Sequence, residues 1–198
     1  MKKKLYECIM LKSLNQRLKH SVRFIMSSTY FSGDNLLILG GTTPTTTGET
    51  NHISNAQLIS MERENNCFTH DLSYRVSGHA SVYVPILRGI VTCGGLHKSN
   101  ETGKCIIQSK GNVSTYFPSM NSERSNFGII SVGKQIFAIG GEPNRSSMEI
   151  IDVTIKNGQW KQQAIPFGVS YHCVVKFEKT LILTGGYDGN GVSRIANS

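Results

Sequence analysis

Four short apolar runs along the chain each end on a pair of glycines. They are Leu36 to Leu39 before Gly40-Gly41, Ile90 to Cys93 before Gly94-Gly95, Ile136 to Ile139 before Gly140-Gly141, and Leu181 to Thr184 before Gly185-Gly186. The first glycines of successive pairs lie 54, 46 and 45 residues apart. A period in that range marks a repeated supersecondary unit. Short apolar runs rich in β-branched residues and closed by glycine predict strands.

The third repeat shows the plan most plainly. Phe127 to Val132 predicts a first strand, Gly133-Lys134 a tight turn, Ile136 to Ile139 a second strand, and Met148 to Val153 a third. Lys156-Asn157-Gly158 predicts a hairpin turn, because Asn-Gly readily takes positive φ, and Trp160 opens a fourth strand. Four strands joined by turns make one antiparallel meander. In the other repeats the third strand starts at Ala56 and Cys105. The loop from the glycine pair to that start is variable, but the next interval is fixed. Twelve residues separate Ala56 from Phe68, Cys105 from Phe117, and Met148 from Trp160. Apolar residues also match two places into the third strand, at Leu58, Ile107 and Ile150. Stacked sheets require this combination, with the aromatic filling the gap between one sheet and the next. The glycines have a matching reason. The chain leaves the sheet where neighbours converge, a side chain there would clash, and one glycine of each pair is expected at positive φ.

Composition refines this picture. A length of 198 residues allows one domain with a real core, and 38% hydrophobic with 17% charged residues fits a folded protein. The net charge of +8 is concentrated at one end: residues 1–23 carry +6. The basic character therefore belongs to a terminal segment and not to a nucleic-acid-binding face, and no aromatics interleave with its lysines. No apolar stretch approaches the ~20 residues of a membrane span. Leu5 to Leu11 is interrupted by Glu7 and lacks a small-residue cleavage site, so a cytoplasmic location is expected. The five cysteines, Cys8, Cys67, Cys93, Cys105 and Cys173, show no CxxC spacing and are expected to be free thiols. Three glycosylation sequons, at Asn100, Asn112 and Asn144, support the alternative of an extracellular protein.

Candidate chemistry is sparse. His20, His52, His70, His79, His97 and His172 show no ligand spacing, and the pair Cys93 and His97 is split by a glycine turn. Asp188-Gly189-Asn190-Gly191 starts like a calcium loop but lacks the later glycine and glutamate, so it reads as a turn. His79 and His172 fall near the starts of first strands, where a structural hydrogen-bonding role is expected. No nucleophile signature is present. The expectation is a protein with no catalytic residue, no metal and no cofactor.

The glycine pairs with their preceding strands, Trp160, Arg124 sixteen residues before Gly140, and the run Gly185-Gly186-Tyr187-Asp188-Gly189 together resemble the kelch-repeat family. The resemblance covers about residues 20–191. The chain departs from the family pattern at Phe68 and Phe117, where tryptophan is usual, and in lacking the third-strand tyrosine. The resemblance implies an all-β propeller of four-stranded antiparallel blades. About three blades would be complete and one partial, giving either an open arc or a four-bladed closure. Residues 1–23 then form a basic segment in which Leu5 to Ile9 is readable as a strand of a preceding blade, and residues 24–198 form the repeat region. The resemblance also implies a protein-protein interaction module, with the substrate-recognition part of a larger adaptor as one such role. Its partner would be gripped by loops that follow the glycine pairs: Thr42 to Asn51, Leu96 to Lys104, and Glu142 to Ser147. One alternative is a glycosylated propeller outside the cell. Another is a sugar-processing propeller enzyme, which would need an arginine cluster that Arg124 and Arg145 alone do not make.

Overall fold

The computed structural model describes residues 27–32, 35–39, 41–44, 50–52, 55–60, 67–71, 77–97, 100–109, 114–189 and 191. It describes side chains at 41–42, 77–97, 100–109, 115–189 and 191. The basic segment, Gly40 and the strand expected at Leu5 to Ile9 lie outside the described residues. The described residues are all-β apart from a single 3-10 turn at Pro85–Leu87. Among them no helix is long and apolar enough to cross a membrane.

Three units are four-stranded antiparallel sheets. The first comprises β1 (Ser27–Ser32), β2 (Asn35–Leu39), β5 (Asn55–Ser60) and β6 (Cys67–Asp71), hydrogen-bonded in that order. A small hairpin, β3 (Thr42–Pro44) with β4 (Thr50–His52), is inserted between its second and third strands. The second unit repeats this with β7 (Ala80–Val84), β8 (Gly89–Cys93), β11 (Cys105–Ser109) and β12 (Ser114–Phe117), and the inserted hairpin β9 (Leu96–His97) and β10 (Asn100–Glu101). The third has β13 (Gly128–Val132), β14 (Gln135–Ile139), β15 (Ser147–Asp152) and β16 (Lys161–Ala164), with a turn in place of the small hairpin. A fourth unit contributes the pair β17 (Cys173–Phe177) and β18 (Thr180–Thr184).

The first strands lie side by side: β1 against β7, β7 against β13, and β13 against β17. This order of sheets is consistent with a β-propeller-like fold. One core cluster joins the second and third units through Val91, Cys93, Cys105, Phe117, Met120, Phe127, Ile136, Ala138, Ile151 and Trp160. A second joins the third and fourth through Ile130, Ile139, Val169, Val174 and Leu183.

The expected register of the second and third strands is present. The residue before each glycine pair faces the expected start of the third strand: Leu39 with Ala56, Cys93 with Cys105, and Ile139 with Met148. The twelve-residue interval, in contrast, spans three different hairpin registers. Phe117 faces Cys105, Phe68 faces Leu58, and Trp160 precedes its strand. Buried Phe117 and Trp160 both join the core between the second and third units, so packing fixes the aromatic position while the strand pairing slides. The side chain of Phe68 lies outside the description. The turn before Trp160 is longer than a two-residue hairpin, running from Val153 to Trp160 with Asn157 at φ 57°.

The expectation of free thiols is overturned. Cys93 and Cys105 are joined in a disulfide, with Cα atoms 4.1 Å apart, and Cys173 is disulfide-bonded as well. Directly opposed neighbours across an antiparallel pair come within bridging distance, and the strand register places these two cysteines there.

Candidate functional site

The end of the molecule that carries the glycine pairs is built by a recurring main-chain lattice. Just before the first strands β7, β13 and β17 the chain reads Ser77-Gly78-His79, Ser125-Asn126-Phe127 and Ser170-Tyr171-His172. Each serine exchanges backbone hydrogen bonds with the residue that follows its own unit's glycine pair. Ser125 N–H donates to the Glu142 carbonyl and Glu142 N–H to the Ser125 carbonyl, both at 2.8 Å. Ser77 does the same with Leu96, and Ser170 with Tyr187. The residue after each serine is left-handed, at φ 61°, 53° and 56° for Gly78, Asn126 and Tyr171. That conformation links successive units: Asn126 N–H donates to the Gly78 carbonyl at 2.6 Å, and Tyr171 N–H to the Asn126 carbonyl at 2.7 Å.

Both glycines of a described pair take positive φ, where only one was expected: 62° and 87° at Gly140 and Gly141. A β-carbon on Gly140 would fall within 3.0 Å of both the carbonyl oxygen and a methyl of Val169 in the following unit. The Gly141 N–H donates to that same Val169 carbonyl at 2.8 Å. The glycine pair therefore forms the seam between adjacent sheets. At Gly185, by contrast, no described atom lies within 4 Å of where a β-carbon would stand.

Arg124 is enclosed at the foot of this rim. It is fully buried, as is Glu149 on β15. Its Nε and Nη2 donate to Glu149 Oε1 at 3.3 and 3.2 Å. Its Nη1 reaches the carbonyls of Gly140, Ser147 and Asn144 at 2.8, 3.0 and 3.3 Å, and Nη2 reaches Ser147 Oγ at 2.8 Å. Glu149 also accepts the backbone N–H groups of Asn121 at 2.7 Å and Ser122 at 3.0 Å. Burial lowers the Arg124 pKa from its ordinary value, and the Glu149 carboxylate acts in the opposite direction. This pair holds the glycine turn and the loop from Glu142 to Ser147 onto the connection between the second and third units. Both side chains are fully enclosed and saturated by protein groups, so the pair serves as an anchor.

The exposed groups lie above it. Glu142 to Ser147, with Gln162, line an open polar cleft of ≈ 520 Å³. Arg145 binds Glu142 Oε1 through Nε and Nη2, each at 2.8 Å, and lies 4.9 Å over the Tyr187 ring. The Glu142 bond raises the Arg145 pKa above its ordinary value, and the nearby phenols of Tyr187 and Tyr171 add to it. Glu142 also accepts from Ser170 Oγ at 2.9 Å. Tyr171 is 60% exposed, although it occupies the left-handed position that the other units fill with Gly78 and Asn126. A bulky residue there is strained, and such strain collects at ligand-contacting sites.

The three loops expected from the sequence all follow glycine pairs. Thr42 to Asn51 contains β3 and the start of β4, Leu96 to Lys104 contains β9 and β10, and Glu142 to Ser147 lines the cleft. Sequence reasoning missed Tyr171, Glu149 and the recurring serine; the Ser-x-His/Phe triplet before β7, β13 and β17 was the available signal. His79 and His172 are buried, and the hydrogen-bonding role expected of His172 is not found: neither of its ring nitrogens has a hydrogen-bond partner among the described residues. The Asp188 to Gly191 segment is a turn closed by Gly191 N–H on Asp188 Oδ1 at 3.0 Å. Among the described residues no three His, Cys, Asp or Glu side chains converge as metal ligands.

No family model matches the chain, and no curated protein matches it. Its fold does have counterparts, with 168 matching chains among solved structures. One, described as "Structure of YjhT", has a TM-score of 0.72 at 14% sequence identity. The match covers 83% of this chain and 59% of that one, so this chain spans less than two thirds of its length. At that identity the likeness is one of fold.

Proposed function

We propose that the chain is a kelch-type β-propeller module that binds a protein partner, without catalysis, through the rim at the junction of its third and fourth units. In this reading the three complete sheets are blades and β17–β18 are the inner pair of a further blade. The glycine seams and the side-by-side first strands support that assignment. One observation carries the binding site: an exposed tyrosine held left-handed where glycine and asparagine serve elsewhere, beside an arginine stacked on a second tyrosine. Tyrosine and arginine are the residue types that dominate binding energy at protein interfaces. Catalysis has less support, because Arg124 is enclosed and Arg145 is already paired to Glu142.

The test selects binders from a random peptide display library on the immobilised full chain. Tyr171→Asn is expected to weaken the selected binders at least tenfold while raising thermal stability, since it removes the ring and the backbone strain together. Binders indifferent to Tyr171→Asn and to Arg145→Ala would refute the site.

A second reading places the same module outside the cytosol. The buried Cys93–Cys105 disulfide favours it, because such bonds persist in oxidising compartments and are rare in reducing ones. Mass spectrometry of the alkylated native protein decides: a disulfide supports this reading, and free Cys93 and Cys105 thiols sink it.

A further inference from the structure

The three sequons stand in unlike surroundings. Asn144 is half-buried; its Nδ2 donates to the Glu123 carbonyl at 3.1 Å, and its own carbonyl accepts from Arg124 and from Ser147 Oγ. The Asn144 side chain and backbone are thus both tied to the loop around Arg124 and Glu123. Asn112 lies outside the described residues. Asn100 is exposed at the start of β10, on the small hairpin whose partner strand is β9. Two residues on, Thr102 is tied to the scaffold. Its N–H donates to the Gly95 carbonyl at 3.0 Å, its carbonyl accepts from Arg124 N–H at 3.3 Å, and its Oγ1 accepts from Lys104 N–H at 3.2 Å. The sequon is therefore anchored at its threonine and projects at its asparagine.

We propose that Asn100 is an N-linked glycosylation site and that Asn144 is not. This rests on the reading that the chain matures in an oxidising compartment, where the Cys93–Cys105 bond forms and where the transferring enzyme works. The donor is a lipid-linked oligosaccharide pyrophosphate. A bond forms from Asn100 Nδ2 to the anomeric carbon of the sugar, and the bond from that carbon to the pyrophosphate oxygen breaks. The lipid pyrophosphate leaves with the electron pair, and the amide nitrogen loses one proton. A glycan here would cover the Leu96 to Lys104 loop. Protein contact would then be confined to the neighbouring rim around Glu142, Arg145, Tyr171 and Tyr187.

The full chain, secreted from a eukaryotic host, is alkylated, deglycosylated with an amidase in heavy-oxygen water and mapped by mass spectrometry. The expected result is a labelled aspartate at position 100, an unlabelled Asn144, and a mobility shift reduced by Asn100→Gln but not by Asn144→Gln. A Cys93–Cys105 disulfide with a bare Asn100, or a glycan on Asn144 in its place, overturns the assignment and leaves the compartment reading intact. Free Cys93 and Cys105 thiols with a bare Asn100 overturn both.

Discussion

Replacing Arg124 by methionine keeps most of the side-chain volume and removes every donor. The structure specifies what that leaves behind. Glu149 is fully buried, so its carboxylate would retain two backbone N–H donors, from Asn121 and Ser122, but no countercharge. The Gly140 carbonyl would lose the guanidinium bond at 2.8 Å, whereas the Ser147 carbonyl would keep the Gly140 N–H. Removing one partner of a buried ion pair costs about 3–5 kcal/mol, a large fraction of the ~5–15 kcal/mol that stabilises a typical native protein. Arg124→Met should therefore lower the urea midpoint sharply with an unchanged denaturant slope. The informative comparison is Arg124→Met with Glu149→Gln. Glutamine removes the stranded charge, and its one oxygen can still accept from either Asn121 or Ser122, which bond different oxygens of the carboxylate. The double variant should recover roughly 1–3 kcal/mol relative to Arg124→Met alone, in the range of couplings measured between contacting residues. A single-variant loss below about 1 kcal/mol, or a double variant whose losses simply add, would refute the claim that this pair anchors the rim.

Three further expectations follow from the seams. Burial lowers the His172 pKa from 6.5 to about 4, so the unfolded chain takes up this proton first. The stability tied to neutral His172 is then complete above pH 6.5 and is lost as pH falls toward 4, by roughly 3 kcal/mol. Denaturation between those pH values should show that slope, and His172→Phe, which copies Phe127 in the preceding unit, should flatten it; an unchanged slope would exclude His172 as its source. Gly140→Ala should cost well beyond the ~1–2 kcal/mol of a left-handed alanine because Val169 blocks its methyl, and a loss confined to that conformational term on thermal denaturation would deny the seam its steric role. Trp160→Ala should cost about 3–5 kcal/mol, since Trp160 is buried between the second and third units and donates Nε1–H to the Pro118 carbonyl at 2.7 Å; a loss under ~1 kcal/mol in urea titration would contradict that placement.

The strands were legible because a short apolar run closed by glycine has few other solutions. The pairing of the second strand with the third was legible for the same reason, since the residue before Gly94 and the start at Cys105 both follow from the repeat. That register carried the disulfide as well: Cys93 and Cys105 face each other once the repeats are aligned, although their twelve-residue separation shows nothing of the kind. The fourth-strand register was not legible, because an aromatic can keep its place in the core while the hairpin beneath it gains or loses a residue. Glu149 was hidden by its neighbours. Met148, Ile150 and Ile151 make its strand read as apolar, and only Arg124, which lies 25 positions earlier, explains a carboxylate there. Tyr171 was hidden because its conformation, not its identity, sets it apart.

The seams are joined largely through the main chain: Gly141 N–H to the Val169 carbonyl, Asn126 N–H to Gly78, and Tyr171 N–H to Asn126. Wiring of that kind asks nothing of the side chains displayed above it. A hairpin such as β3–β4 or β9–β10 can therefore stand in place of the Glu142 to Ser147 turn above the same kind of rim. The main-chain bonds that tie one repeat to the next and the side chains that face outward above them are separate atoms.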